Sequence, residues 1–151
     1  MKEASITYSS RKRQMLSRST VLPSATEANH NQLEGVGILV VEDNWHAANA
    51  LKSLFEAEHM VVSGPASTTV DARRLATEDK PELAVVDINL KGEMAYDLID
   101  QLHDQGIRVV VVSGYAIVPR LTEKVVAVLP KPFNGSLLLA ALRRALSVTS
   151  K

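Results

Sequence analysis

The chain contains no cysteine. That excludes disulfides, thiolate zinc sites and cysteine nucleophiles, and it suits a reducing cytoplasm. It also has no net charge, because 17 Lys and Arg stand against 17 Asp and Glu. With no overall field to attract a polyanion, nucleic acid gains no support as a partner. No apolar run approaches the roughly 18 residues that would cross a bilayer, so no membrane association is expected. Met1 to Gly35 lacks any sustained apolar period. It is rich in Ser, Thr and Asn, carries Arg11, Lys12, Arg13 and Arg18, and has no apolar centre after Lys2. Residues 1–35 therefore read as a flexible tail rather than a secretory signal.

What remains is enough for one core. At 151 residues and 46% hydrophobic content the chain is long for a tail alone and short for two domains. Val36 to Val41, Leu83 to Val86, Ile107 to Val112 and Val125 to Leu129 are short apolar runs without alternation. Such runs are strands buried on both faces, which is the mark of a parallel sheet covered by helices. Met60-Val61-Val62 reads as a further strand, closed by Ser63-Gly64-Pro65. Between them lie helical stripes. Ala47, Leu51, Leu54, Phe55 and Ala57 follow an Asn44 cap; Val70, Ala72, Leu75 and Ala76 follow a Ser67 or Thr68 cap. Ala95, Leu98, Ile99 and Leu102 stop at Gln105-Gly106, and Leu138, Ala141, Leu142 and Ala145 form the last stripe. A weak helical stretch is expected around Pro119 to Lys124. Five βα units imply right-handed crossovers and a doubly wound α/β sheet, because parallel neighbours cannot be joined by tight turns.

The charges at the strand ends are the chemistry. One run ends in Glu42-Asp43, another in Asp87, a third in Pro130-Lys131-Pro132. In an open parallel sheet these C-terminal edges line one crevice, the usual ligand site. Clustered carboxylates repel unless a cation sits among them, and magnesium suits carboxylate oxygens supplemented by waters and phosphate oxygens. Lys131 is a point charge for a phosphate, and the Ser113 hydroxyl can donate to a phosphoryl oxygen. Asp87 is then the nucleophile candidate. It is ionised at neutral pH and needs no separate base.

Four segments, Val40-Val41-Glu42-Asp43-Asn44, Val85-Val86-Asp87-Ile88-Asn89-Leu90, Val111-Val112-Ser113-Gly114-Tyr115 and Leu129-Pro130-Lys131-Pro132-Phe133, resemble in order the receiver domain of bacterial two-component response regulators. The resemblance spans about Gly35 to Leu146. It implies a flavodoxin-like fold of strand order 2-1-3-4-5, a receiver domain over 36–147, and an Asp87 that accepts phosphate from a sensor histidine kinase or phosphotransfer protein. It further implies Mg2+ bound by Asp43 directly, by Glu42 through water and by the Asn89 backbone carbonyl, beside Asp87, with Ser113 and Lys131 on the phosphoryl group and a cis Lys131-Pro132 bond. Two positions depart from the family pattern. Val128 stands where many receivers carry an aromatic switch residue, and Tyr115 becomes the switch candidate. Ser113-Gly114-Tyr115 is similar to a receiver subgroup of alphaproteobacterial stress signalling, and the short span to Lys131 suggests a shortened fourth helix.

Only Ser147 to Lys151 follow the last helix. The expectation is a single-domain response regulator without an effector, not an enzyme, acting in the cytoplasm through a downstream protein target or an onward relay. Its competitor is a receiver-like interaction module that works without phosphorylation. A haloacid-dehalogenase-like phosphatase is disfavoured, because its acid-base aspartate two residues after the nucleophile is replaced by Asn89, which cannot transfer that proton. Trp45 is expected to pack in the core on its helix. His30, His46, His59 and His103 show no metal spacing and read as surface residues.

Overall fold

The structure is a computed structural model and describes residues 32–114 and 123–147. The uninterrupted apolar runs become a five-stranded parallel sheet. Its strands are β1 (Gly37–Val41), β2 (Val61–Ala66), β3 (Leu83–Asp87), β6 (Arg108–Ser113) and β7 (Ala127–Pro130), in the order β2-β1-β3-β6-β7. Counting only the strands of this sheet, that is 2-1-3-4-5. A separate two-stranded hairpin, β4 (Asn89–Leu90) with β5 (Glu93–Met94), follows β3.

Among the described residues, α1 (Trp45–Ala57), α2 (Thr69–Asp79) and α3 (Tyr96–Asp104) connect strands, and α4 (Gly135–Ser147) follows the last one. Alternate strand residues point to opposite faces, so β1 divides its side chains between two cores. Leu39 and Val41 pack with Ala72, Ala76, Leu98 and Leu102 from α2 and α3. Ile38 and Val40 pack with Leu51 and Phe55 of α1 and Leu138 and Leu142 of α4. This is why the strands show no polar alternation: both faces are covered.

The helix starts are set by side-chain caps. Asn44 Oδ1 accepts from the Ala47 N–H at 2.9 Å, and Thr68 Oγ1 accepts from the Asp71 N–H at 3.1 Å, each satisfying a first-turn donor. α2 ends at Lys80, which takes a left-handed conformation before Pro81. β1 and α1 are thus joined by Glu42, Asp43 and Asn44, so the carboxylates are held between a buried strand and a capped helix.

Several expectations change. β2 does not end at Val62 but runs to Ala66, with a bulge: Leu39 pairs with Ser63 and Val41 with Ala66. An edge strand tolerates a proline there because its outward N–H need not pair. Gly64 is required at this point, since it sits at φ +96° and a Cβ would lie 2.7 Å from the Ala66 nitrogen and 2.9 Å from the Val40 oxygen. Val70 and Trp45 are exposed by 71% and 72%, against their expected core roles. Trp45 opens α1 one turn before its buried stripe begins at Ala48, and Val70 points away from the face of α2 that buries Thr69, Ala72 and Ala76. In α1 the buried residues are Ala48, Leu51 and Phe55, and Ala57 is exposed. Tyr115 and the expected short fourth helix lie largely at residues 115–122, outside the described residues. No described helix is long and apolar enough to cross a membrane.

Candidate functional site

The C-terminal ends of β1, β3, β6 and β7 converge on one crevice. Glu42 follows β1 and is buried, Asp43 beside it is half-buried, and Asp87 closes β3 with 7% exposure. One carboxylate oxygen from each of Glu42, Asp43 and Asp87 lies within 4.8 Å of the others. Lys131, just after β7, reaches across: its Nζ donates to Asp87 Oδ2 at 2.9 Å and to Glu42 Oε1 at 3.3 Å. The lysine is positioned from below, because its backbone N–H donates to the Ser113 carbonyl at 2.8 Å. Ser113 is fully buried at the end of β6, directly opposite Pro130 in the register. The Lys131-Pro132 bond is cis. Asn89 supplies a further contact, its N–H donating to Asp87 Oδ1 at 3.2 Å.

Charge and burial oppose each other here. Burial first, and then the facing Asp87, push the Glu42 carboxyl up to about 7, so that it sits near half-ionisation at neutral pH. Burial also works against ionisation of Asp87, but hydrogen bonds involving Glu42, Lys131 and the Asn89 N–H outweigh it and hold Asp87 below its ordinary value. Burial would lower Lys131, yet the bond to Asp87 and the charges of Glu42 and Asp87 raise it. The pocket therefore keeps an ionised aspartate paired with a cationic lysine.

A metal would resolve what remains. Glu42 Oε2 is buried with no hydrogen-bond donor in reach. A proton on Glu42 can bridge toward Asp87, but an ionised Glu42 leaves that oxygen uncompensated. When all three acids are ionised, three carboxylates face one ammonium and leave two negative charges. A hard divalent cation with oxygen ligands fits that donor set and that charge.

Beside the acids, a groove of about 630 Å³ opens between α1 and α4. Leu51, Leu54 and Phe133 wall it, and Glu42 and Lys131 stand at its end. The groove is mainly apolar, with its charged groups at the crevice end. Val128 is half-buried and packs against the core shared by α2 and α3. Trp45 stands at the rim with its ring edge against His46, the centroids 5.0 Å apart. His46, His59 and His103 are exposed, and His30 lies outside the described residues. The hairpin β4–β5 gave little warning in the sequence; its one signal is Lys91-Gly92, a two-residue turn with φ of 53° and 87°.

The sequence pattern described as the response regulator receiver domain matches residues 38–143. The chain is 32% identical over 120 residues to the C4-dicarboxylate transport transcriptional regulatory protein DctD of Pseudomonas aeruginosa, a match covering 74% of this chain and 25% of that protein. It is 27% identical over 82 residues to the transcriptional regulatory protein DesR of Bacillus subtilis, covering 54% and 41% respectively. The chain thus spans less than half the length of these relatives. Among solved structures, the response regulator PhyR from Brucella abortus superposes with a TM-score of 0.70 at 24% identity, over 82% of this chain and 52% of that one. A CheY-like receiver domain from Methylobacillus flagellatus gives a TM-score of 0.66 at 23% identity, over 74% of this chain and 99% of that one. Both show the same fold. With its motif acids and lysine gathered in one crevice and the family pattern covering more than half of its length, the chain belongs to the response regulator receiver domain family.

Proposed function

We propose that Asp87 accepts a phosphoryl group from a phosphohistidine of a sensor histidine kinase or phosphotransfer protein, with Mg2+ held by Glu42, Asp43, Asp87 and the Asn89 backbone carbonyl. The carrying observation is the Lys131–Asp87 pair at 2.9 Å beside a buried, uncompensated Glu42 oxygen. It couples a nucleophile kept ionised to a neighbouring place for a cation.

In this reading an Asp87 carboxylate oxygen attacks phosphorus, the donor's N–P bond breaks, and an O–P bond forms as the imidazole leaves. Bound Mg2+ supplies neutralisation of the negative charge that the phosphoryl oxygens bring beside the carboxylates. Lys131 needs only to shift from the carboxylate to a phosphoryl oxygen, since an ammonium accepts any geometry of oxygen partners. Asp87 Oδ1 stays oriented by the Asn89 N–H. Ser113 closes the pocket from β6 and donates its hydroxyl to the phosphoryl group. The charge gained at Asp87 then shifts an existing equilibrium, because the new oxygens interact with Lys131 and Ser113 differently from the bare carboxylate.

Output runs through a protein target or an onward relay in the cytoplasm. The resemblance of Ser113-Gly114-Tyr115 to the alphaproteobacterial stress-signalling subgroup, and the fold likeness to PhyR, support that placement, with Tyr115 as the switch candidate. Incubation with Mg2+ and acetyl phosphate adds one acid-stable, base-labile phosphoryl group in this reading. Labelling that survives Asp87→Asn overturns the assignment.

A further inference from the structure

The hairpin after β3 is too small to stand alone. Its strands are two residues each, β4 (Asn89–Leu90) and β5 (Glu93–Met94), and an isolated hairpin of any length is marginal in water. Its near strand carries Asn89, whose N–H holds Asp87 Oδ1 at 3.2 Å and whose Oδ1 accepts from the Gly92 N–H at 2.8 Å. The turn and the acceptor aspartate are therefore joined through one residue.

The far strand is tied elsewhere. The Glu93 carboxylate accepts a hydrogen bond from the Thr69 hydroxyl, a bond to a charged acceptor. Thr69 is buried in the first turn of α2 and uses its one hydroxyl proton on Glu93. Arg73 Nη1 approaches the same Thr69 oxygen at 3.5 Å, and Arg73 Nε donates to Gln101 Oε1 of α3 at 2.9 Å. Of these bonds, Thr69–Glu93 joins the hairpin to α2 and lies outside the acid pocket, while Leu90 of β4 packs into the core.

We infer that Thr69 and Glu93 are positioning residues for the Asp87 site: by anchoring β5 to α2 they fix β4, and so fix the Asn89 backbone that orients Asp87 and faces the cation. This rests on the phosphoacceptor and Mg2+ reading above. The physical reason is order. A backbone carbonyl ligates well only if its direction is set before the ion arrives, and partners one shell out typically change metal affinity about 10- to 100-fold. Thr69 and Glu93 act one step further away, through a turn. A merely structural bond between α2 and the hairpin would lower thermal stability and leave ion binding alone.

The test titrates Mg2+ into the full chain and follows binding by calorimetry, with Trp45 fluorescence as a second signal, for wild type, Thr69→Val, Thr69→Ser, Glu93→Ala and the double Thr69→Val/Glu93→Ala variant. Thr69→Val keeps the shape and removes the donor. It and Glu93→Ala are expected to weaken Mg2+ binding by about 3- to 10-fold, less than loss of a direct partner. Thr69→Ser, which keeps the hydroxyl, should stay within about 2-fold, and the double variant should be no weaker than the weaker single, as for one shared bond. Labelling of Asp87 by acetyl phosphate should slow at low Mg2+ and recover at saturation. Wild-type affinity in Thr69→Val and Glu93→Ala, additive losses in the double variant, or a wild type that binds no Mg2+ overturns the inference. Mg2+ binding that shifts as expected in a protein never labelled at Asp87 upholds the positioning role and overturns the phosphoacceptor reading instead.

Discussion

The acids and the lysine of the crevice stand on different ground. Glu42 and Asp87 follow or end β1 and β3, two of the three strands with a hydrogen-bonded neighbour on both sides, and every residue of β3 is buried. Lys131 follows β7, which pairs with β6 alone and has no fully buried residue. Resistance to local opening follows burial and pairing, so the negative wall is the fixed part of the site and the lysine wall is the compliant part. The difference gives the site a direction. In the proposed reading, a phosphoryl group at Asp87 would therefore be accommodated first by Lys131 and the strand behind it. Lys124, at the approach to β7, is held to Asp100 of α3 by a 3.0 Å ion pair, which ties that strand to the helix packed on β6.

The largest expected effect lies on the fixed wall. Asp87→Asn should reduce phosphoryl labelling by at least about 100-fold, because the amide is not a comparable nucleophile; intact-mass measurement after acetyl phosphate treatment reads it directly. Next is the compliant wall. Lys131→Met leaves Glu42 and Asp87 facing each other, and breaking a buried pair costs about 3–5 kcal/mol. With the Lys131 side chain 33% exposed, about 1–3 kcal/mol in metal-free urea unfolding is expected. Excess Mg2+ should restore much of it; an equal loss with and without Mg2+ would break the distinction between the two walls.

A pH series sharpens it further. Glu42 rises to about 7 from 4.5, so the folded metal-free protein holds a proton that the unfolded chain has released across that window. Its contribution to stability is complete below pH 4.5 and is lost as pH rises through about 7. Asp87, lowered from 3.8, acts oppositely and only in acid, and Lys131, raised from 10.5, contributes until strongly alkaline pH. Tm in EDTA should therefore fall between pH 5 and pH 8, and millimolar Mg2+ should flatten or reverse that fall by binding the ionised form. The smallest effect belongs to the rim: Trp45→Phe should change stability by less than about 0.5 kcal/mol in urea, as for an exposed side chain.

The same contrast explains what could be read from the chain. β1, β3 and β6 announce themselves because a central parallel strand must be apolar throughout. The edges do not. β2 continues through Ser63-Gly64-Pro65, which resembles a turn in sequence, and the expected strand from Val125 begins at Ala127. The β4–β5 hairpin is too short to display a period of two. Trp45 and Val70 mislead because hydrophobicity signals burial only on the face that lies against the sheet: Trp45 precedes the buried stripe of α1, and Val70 points away from that of α2. The gathering of Glu42, Asp43, Asp87 and Lys131 was legible because parallel strands deliver their C-terminal ends to one side. The Thr69–Glu93 tie was not, since it joins two polar residues 24 positions apart with no motif between them.

Pro65 in β2 has a consequence beyond the turn it interrupts. Among the described residues β2 is an outer strand of the sheet, and the backbone groups of an outer strand invite a strand from another molecule. A proline has no N–H to offer, and the bulge at Gly64 throws the spacing of its neighbours out of step with a regular partner. The segment that most resembles a break in the sequence thereby works as a guard, keeping this border from zipping onto a second chain.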